Sequence, residues 1–355
     1  MKKMKEVPRF MKRFLVVLLT LALCMGCCGA FAEEEKVLRI YSWEDYVDAD
    51  TIAGFSEEYG IEVDFITFAS NEEMLLKLEQ GGGENYDIIV ASDYVISSAR
   101  KQNLLMPLDK DKLTNFGNLN PNYLNQYFDP DNVYSIPYTV GSPMIVYEPD
   151  RVEGEIRYFA DLWDPQFADS LCLLDDARVM IGETLKMLGY SYNTTDDAQL
   201  QEASDKLMGL KPNVRALDYD TAYQYLLSGE VSAAYLFTNF AVICQMENPN
   251  LVAVYPEEGV GFGVDSLVIP TGAQHPDNAH LFLDYVMRPE VAAHIAEYQL
   301  YINPNQAAEA YIDPALKDYA AFNIPEDKIA TAEYVQDVGE YEGKFQEIWM
   351  NFKLK

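Results

Sequence analysis

The stretch Tyr86-Asp87-Ile88-Ile89-Val90-Ala91-Ser92-Asp93-Tyr94 decides how this 355-residue chain folds. A continuous apolar run bounded by polar residues reads as a strand covered on both faces, as strands of parallel sheets are. Upstream, 37–41 reads as another buried strand and 50–59 has helical spacing ending at Gly60. The segment 61–67 alternates as a strand. Ser70 followed by Glu73 then opens a helix through 79 with a capping-box pattern. Downstream of Tyr94 a helix runs to about 102. This βαβαβα order predicts a mostly parallel sheet, and ligands of such sheets bind beyond the carboxyl ends of strands. Trp43-Glu44-Asp45-Tyr46 and Ser92-Asp93-Tyr94 both occupy that position. An indole, phenols and carboxylates suit a slender organic cation: the acids pair with ammonium groups and the rings cover methylenes. The plainer alternative is a solvated turn with one core Trp.

Further along, 113–132 is rich in Asn, Pro and Asp and reads as loop with short turns. Residues 134–141 read as a crossing to a second lobe. There 171–174 is a strand ending in Asp175-Asp176. Helices are expected over 179–189, 198–207 and 219–228, and strands over 231–237 and 252–255. Residues 264–270 read as a return strand, followed by helices over 278–287 and 289–297. The triple glycine at 81–83 reads as a flexible connection.

The first 32 residues read as an export signal. Lys2, Lys3, Lys5, Arg9, Lys12 and Arg13 form a basic start, 14–23 is apolar, and Ala30-Phe31-Ala32 offers a cleavage site. Gly26-Cys27 resembles part of a lipobox, but Cys24 stands where Leu is usual, so cleavage without a lipid anchor is favoured. The mature chain is expected outside the cytoplasm, periplasmic or on the outer face of the membrane. Cys172 and Cys244 remain beyond the signal, as one disulfide or as two buried thiols. No Cys/His cluster has metal-ligand spacing, and no triad partners accompany His275, His280 and His294. No cofactor is expected. A net charge of −31 argues against nucleic acid, which needs a basic footprint.

The chain resembles the polyamine-binding proteins of bacterial ABC importers, the spermidine/putrescine type. The resemblance is carried by IYSWEDYV (from Ile40), SNEEMLLKL (from Ser70), YDIIVASDYV (from Tyr86), LTNFGNLNP (from Leu113), DPDNVYSIPY (from Asp129), LLDDAR (from Leu173), LGYSYNTTD (from Leu188), VDSLVIP (from Val264) and RPEVAAHIAE (from Arg288). It implies an α/β, two-lobed periplasmic-binding-protein fold with mostly parallel sheets and the ligand cleft between lobes. Lobe 1 is expected over 33–141 plus 262–305, and lobe 2 over 142–261 plus 306–355. By position the implied ligand residues are Trp43, Glu44, Asp45, Tyr46, Ser92, Asp93, Tyr94, Asp176, Phe237, Asp265, Tyr301 and Gln336. The implied partners are a polyamine and a membrane permease, with the protein itself a monomer and not an enzyme.

Two positions depart from the family pattern. Val179 stands where an acid is common, and Gly263 where a bulky ring is common. Glu183, one helical turn on from Val179, is the nearest acid to take over the charge. These departures leave a different small organic cation as a rival ligand. A carboxylate-dependent hydrolase using Asp175 and Asp176 is the remaining alternative.

Overall fold

The computed structural model describes residues 36–68, 70–81, 83–322, 324–325, 328 and 331–354. The segment expected to be an export signal, with its three cysteines, lies outside the described residues. Eleven strands build two sheets: β1 (Val37–Ser42), β2 (Glu62–Thr67), β3 (Ile88–Ser92), β4 (Ser135–Gly141), β5 (Pro143–Tyr147), β6 (Leu171–Leu173), β7 (Val214–Leu217), β8 (Ala233–Phe237), β9 (Val252–Val254), β10 (Gly261–Val268) and β11 (Glu333–Tyr334). The first sheet has the order β11-β10-β3-β1-β2, with β4 also on β10; the second is β7-β6-β8-β5-β9.

Both sheets are mixed. In the first, β1 pairs in parallel with β2 and β3, while β10 runs antiparallel to β3 and β4. In the second, β6 is parallel to β7 and β8, and β5 is antiparallel to β8 and β9. The antiparallel neighbours are the strands that enter or leave at a crossing, where no helix intervenes to turn the chain round.

The apolar run of β3 is fully buried, from Ile88 to Ala91. β2 alternates and keeps an exposed face, as a strand at the sheet edge does. The helix Ala49–Tyr59 starts on Asp48, whose side chain accepts from the backbone of Asp50 and Thr51. It ends at Gly60, held at φ 66°, where a side chain would be strained. The Ser70 side of the expected capping box is formed: the Glu73 backbone N–H donates to Ser70 Oγ (3.1 Å) at the start of the helix Asn71–Gly81.

Two helices depart from expectation. The segment expected to be helical from 219 becomes so only over Ala222–Leu227. Asp218 accepts from both the backbone N–H (2.6 Å) and the hydroxyl (2.8 Å) of Thr221, which holds 218–221 as a turn and leaves Tyr219 at its tip. The helix Glu342–Leu354 was not anticipated. It buries Phe345, Ile348, Trp349 and Phe352 on one stripe, against the side of the second sheet where the helix Ala177–Met187 lies.

The chain leaves the first sheet at Gly141 and enters the second at Pro143. Between them Ser142 is completely buried. Its hydroxyl donates to the Gly261 carbonyl (3.0 Å), where the chain returns, and its own carbonyl accepts from Thr238 N (3.1 Å) and Oγ1 (2.8 Å). The outgoing and returning segments are thus pinned to each other. Cys172 and Cys244 are both free thiols, fully buried. Burial pushes each up to about 12.

Candidate functional site

Asp265 sits on β10 opposite Ser92 of β3 and Thr139 of β4. A bulge between Asp265 and Ser266 breaks the register with β4, and bulges of this kind re-aim a side chain. Asp265 Oδ2 accepts a 2.6 Å hydrogen bond from the Tyr46 hydroxyl. Burial pushes the Asp265 carboxyl above its ordinary value, while the Ser92 and Tyr46 hydroxyls act in favour of the charged form. The carboxyl is only half-buried, so it keeps a face for a further partner. Ser92 is itself held by Asn71, whose Nδ2 donates to Ser92 Oγ (3.0 Å).

The loop carrying Tyr46 is fixed from behind. The Tyr46 carbonyl accepts from the Tyr138 hydroxyl (2.7 Å) and from Gln299 Nε2 (2.6 Å). Trp43 packs edge-on against Phe68 with ring centres 4.5 Å apart and lies 6.3 Å from the Tyr46 ring. Its indole N–H is buried with no acceptor among the described residues. Tyr301 arrives from the far side. The helix Pro289–Gln299 ends on Leu300 in the left-handed region, φ 57°, and the next residue lies over Gly141. A Cβ at Gly141 would come within 3.1 Å of the Tyr301 ring, so the glycine makes room for it.

The second sheet supplies Asp176, Phe237 and Tyr219. Asp176 caps the helix Ala177–Met187, its Oδ1 accepting from Val179 N (2.9 Å), and is half-buried. Burial raises it, against the backbone N–H groups of Val179 and Arg178 and the Arg178 charge. Phe237 ends β8 with its ring 5.6 Å from that of Tyr219. Burial raises the Tyr219 phenol, and Asp176, Tyr301, Asp265 and Tyr94 all add to the rise, so it lies among groups from both sheets.

The structure therefore sets Trp43, Tyr46, Ser92, Tyr94, Asp265 and Tyr301 from the first sheet near Asp176, Phe237 and Tyr219 from the second. The sequence reading missed Tyr219 because it placed that residue inside a helix. The available signal was Asp218 three residues before Thr221, a turn-and-cap pattern. Other expected residues stand apart. Glu44 and Asp45 are exposed on the outer face of their loop, Asp45 towards Tyr298. Gln336 is exposed; its backbone, not its side chain, bonds Asn193 and Arg178. Asp93 is buried, one oxygen accepting from the Tyr94 backbone (2.7 Å) and the other without a partner within ordinary distance among the described residues. Burial, then the neighbouring Asp265, hold it well above the usual carboxylate range.

Residues 83–331 match the family described as Bacterial extracellular solute-binding protein. The chain belongs to the bacterial extracellular solute-binding proteins. It is 35% identical to the spermidine/putrescine-binding periplasmic proteins of Salmonella typhimurium and Escherichia coli, over 94% of this chain and 96% of each relative. Among solved structures it is similar to a putative spermidine/putrescine ABC transporter protein from Listeria monocytogenes: TM-score 0.83, 37% identity, 90% of this chain and 99% of that one. The spermidine/putrescine ABC transporter substrate-binding protein of Streptococcus pneumoniae gives a TM-score of 0.81 at 36% identity, over 90% and 98%.

As a member of that family the solute-binding protein works outside the cytoplasm, and no helix among the described residues is long and apolar enough to cross a membrane. Its two departures now have a geometry. Val179 is buried, 6% exposed, and a Cβ at Gly263 would meet nothing within 4 Å, so the floor two residues before Asp265 is open. Glu183 does not replace an acid at Val179. It is completely buried, and among the described residues neither carboxyl oxygen has a donor within ordinary hydrogen-bond distance. It lies near Tyr235 and the Gly261 backbone, and burial pushes it up to about 8.

Proposed function

We propose that this solute-binding protein captures a linear polyamine of the spermidine/putrescine type in the cleft and delivers it to the membrane permease of an ABC importer. The single observation that supports this most is the Tyr46–Asp265 pair: a half-buried carboxylate, held by a phenol and a serine, among aromatic rings from two sheets. Asp265 and Asp176 are the main anions for the ammonium groups. Trp43, Tyr46, Tyr94, Phe237 and Tyr301 cover the methylenes and add cation–π attraction. Ser92 accepts or relays a remaining N–H bond. Glu44, Asp45, Asp93 and Gln336 act around the slot rather than within it.

The two lobes, 33–141 plus 262–305 and 142–261 plus 306–355, close about the segments pinned at Ser142. Closure lowers the local dielectric and strengthens each paired charge. The protein works as an exported monomer, released from its signal without a lipid, and does no chemistry on its ligand. Asp175 and Asp176 do not converge as a hydrolase would need: Asp175 accepts from Trp349 Nε1 (2.7 Å) and Lys353 Nζ (2.9 Å), while Asp176 caps its helix.

Thermal unfolding against putrescine, cadaverine, spermidine, spermine, agmatine and simple amines tests the reading. A ligand that binds only the native state raises the melting temperature with its concentration. A rise with a polyamine and none with simple amines is expected. A rise only with agmatine or another compact cation would favour the second reading, which the open floor at Gly263 motivates.

A further inference from the structure

Thr139 stands directly opposite Asp265 across the β4–β10 pair, as Ser92 does across the β3–β10 pair. Residues paired in this way send their side chains to the same face, with Cβ atoms about 4.5–5.5 Å apart. The cores on the two faces fix which face it is. The neighbouring pair Val140–Val264 buries in one core, while Leu267, two residues on from Asp265, buries in the other with Ile136 and Val90 opposite it. Thr139 and Asp265 therefore share the second face, where the Tyr46 hydroxyl meets Asp265 (2.6 Å). Gly141, two residues on from Thr139 along β4, presents that face too, and the Tyr301 ring lies over it. Asp265 and Tyr301 thus flank Thr139. Its side chain is buried, with the residue 3% exposed, and its hydroxyl oxygen has no hydrogen-bond partner among the described residues.

We infer that Thr139 is a further ligand-binding residue: its hydroxyl accepts one N–H of the ammonium group that pairs with Asp265, and turns its own proton to the carboxylate. This inference rests on the polyamine reading above and deepens it. Ser92, Asp265 and Thr139 form a row of hydroxyl, carboxylate and hydroxyl across the neighbouring strands β3, β10 and β4. A hydroxyl donates one hydrogen bond and accepts two, so each flank of the row can hold the carboxylate and still accept from a ligand. Ser92 has one acceptor place filled by Asn71 Nδ2 (3.0 Å), whereas Thr139 has none filled. A buried hydroxyl left without a partner costs stability, and it is explained at a binding site where the partner arrives with the ligand. A protonated primary or secondary amine carries the two N–H bonds needed, one for Asp265 and one for Thr139.

Calorimetric titration with spermidine and putrescine, for wild type, Thr139→Val and Thr139→Ser, tests it. Valine matches threonine in shape and lacks the hydroxyl. Thr139→Val is expected to lower affinity for both amines by about tenfold, as loss of a hydrogen bond to a charged group does. Thr139→Ser returns the hydroxyl and is expected to recover affinity to within about threefold of wild type. The melting temperature without ligand separates this role from a structural one. A hydroxyl with no partner in the free protein adds nothing to the fold, so Thr139→Val should melt at or above the wild-type temperature. Affinity of Thr139→Val within about twofold of wild type, with or without a lower melting temperature, would overturn the inference and leave the polyamine reading intact. An equal loss in Thr139→Ser would also overturn it, because packing rather than the hydroxyl would then be responsible. Failure of wild type to bind either amine would overturn the polyamine reading, and this inference with it.

Discussion

Asp265 and Glu183 are both acids withdrawn from water, and burial pushes both upwards, yet their surroundings differ in kind. Asp265 has a phenol at 2.6 Å, a serine hydroxyl in reach, and an open face towards the cleft. Glu183 has no exposure at all, and among the described residues neither oxygen has a donor within ordinary hydrogen-bond distance, although the Tyr235 hydroxyl and the Gly261 N–H lie near. The first environment lowers the cost of a charge while leaving it incompletely paired, which a cationic ligand can complete. The second makes a charge costly and offers no route for a ligand to reach it, so Glu183 is neutral at pH 7. Burial of an acid alone does not mark a binding site; donors already aimed at the carboxylate, together with an open face, do.

The largest expected effect that would break this contrast belongs to Glu183. Its folded value, about 8, lies above the 4.5 of the free side chain, so the native state binds the proton more tightly than the unfolded chain. Its contribution is fully present below the unfolded value, falls by about 1.4 kcal/mol per pH unit between roughly 5 and 8, and is flat above that. Glu183→Gln should remove that slope, seen in denaturant unfolding at pH 5, 6.5 and 8, and leave polyamine affinity at pH 7 unchanged. A persistent slope, or lost affinity, would place Glu183 with Asp265.

Next in size is Asp265→Asn. Loss of a hydrogen bond to a charged partner is worth about 1.5–3 kcal/mol, so affinity should fall by roughly ten- to a hundredfold in calorimetry, with no loss of stability. The raised value of Asp265 adds a sign: in wild type, affinity should decline as pH falls towards it, because a protonated carboxyl no longer pairs with ammonium. The Asn variant should show no such decline.

The smallest effect sharpens the contrast at Asp176, which is both an anion of the cleft and a helix cap. Asn caps about as well as Asp, so Asp176→Asn should change stability by less than about 0.5 kcal/mol while weakening polyamine binding by a factor of about three to ten. A large drop in melting temperature with unchanged affinity would make Asp176 a cap alone.

Much of the fold was legible because its signals are local. The continuous apolar run of β3, the alternation of β2, the Gly60 stop and the Ser70 cap each depend on a few neighbouring residues. The antiparallel return of β10 and the pinning at Ser142 were not, since they depend on segments more than a hundred residues apart. The helix Glu342–Leu354 was legible in retrospect, from Phe345, Ile348, Trp349 and Phe352 at helical spacing. In the cleft, the strand-end residues Tyr46 and Ser92 followed from topology. Tyr219 did not, because a side-chain bond from Asp218 to Thr221 outweighed the helical pattern around it. Glu183 misled because helical spacing says which residues share a face but not which neighbour that face meets.

The two buried thiols carry a consequence for how this chain is made. With each pushed up to about 12, essentially no thiolate exists at neutral pH to attack a disulfide or be captured by an oxidant. Once folded, these two thiols are indifferent to the redox poise of the compartment. Neither calls on a thiol oxidase or isomerase, and a strongly reducing or oxidising medium should leave both as they are.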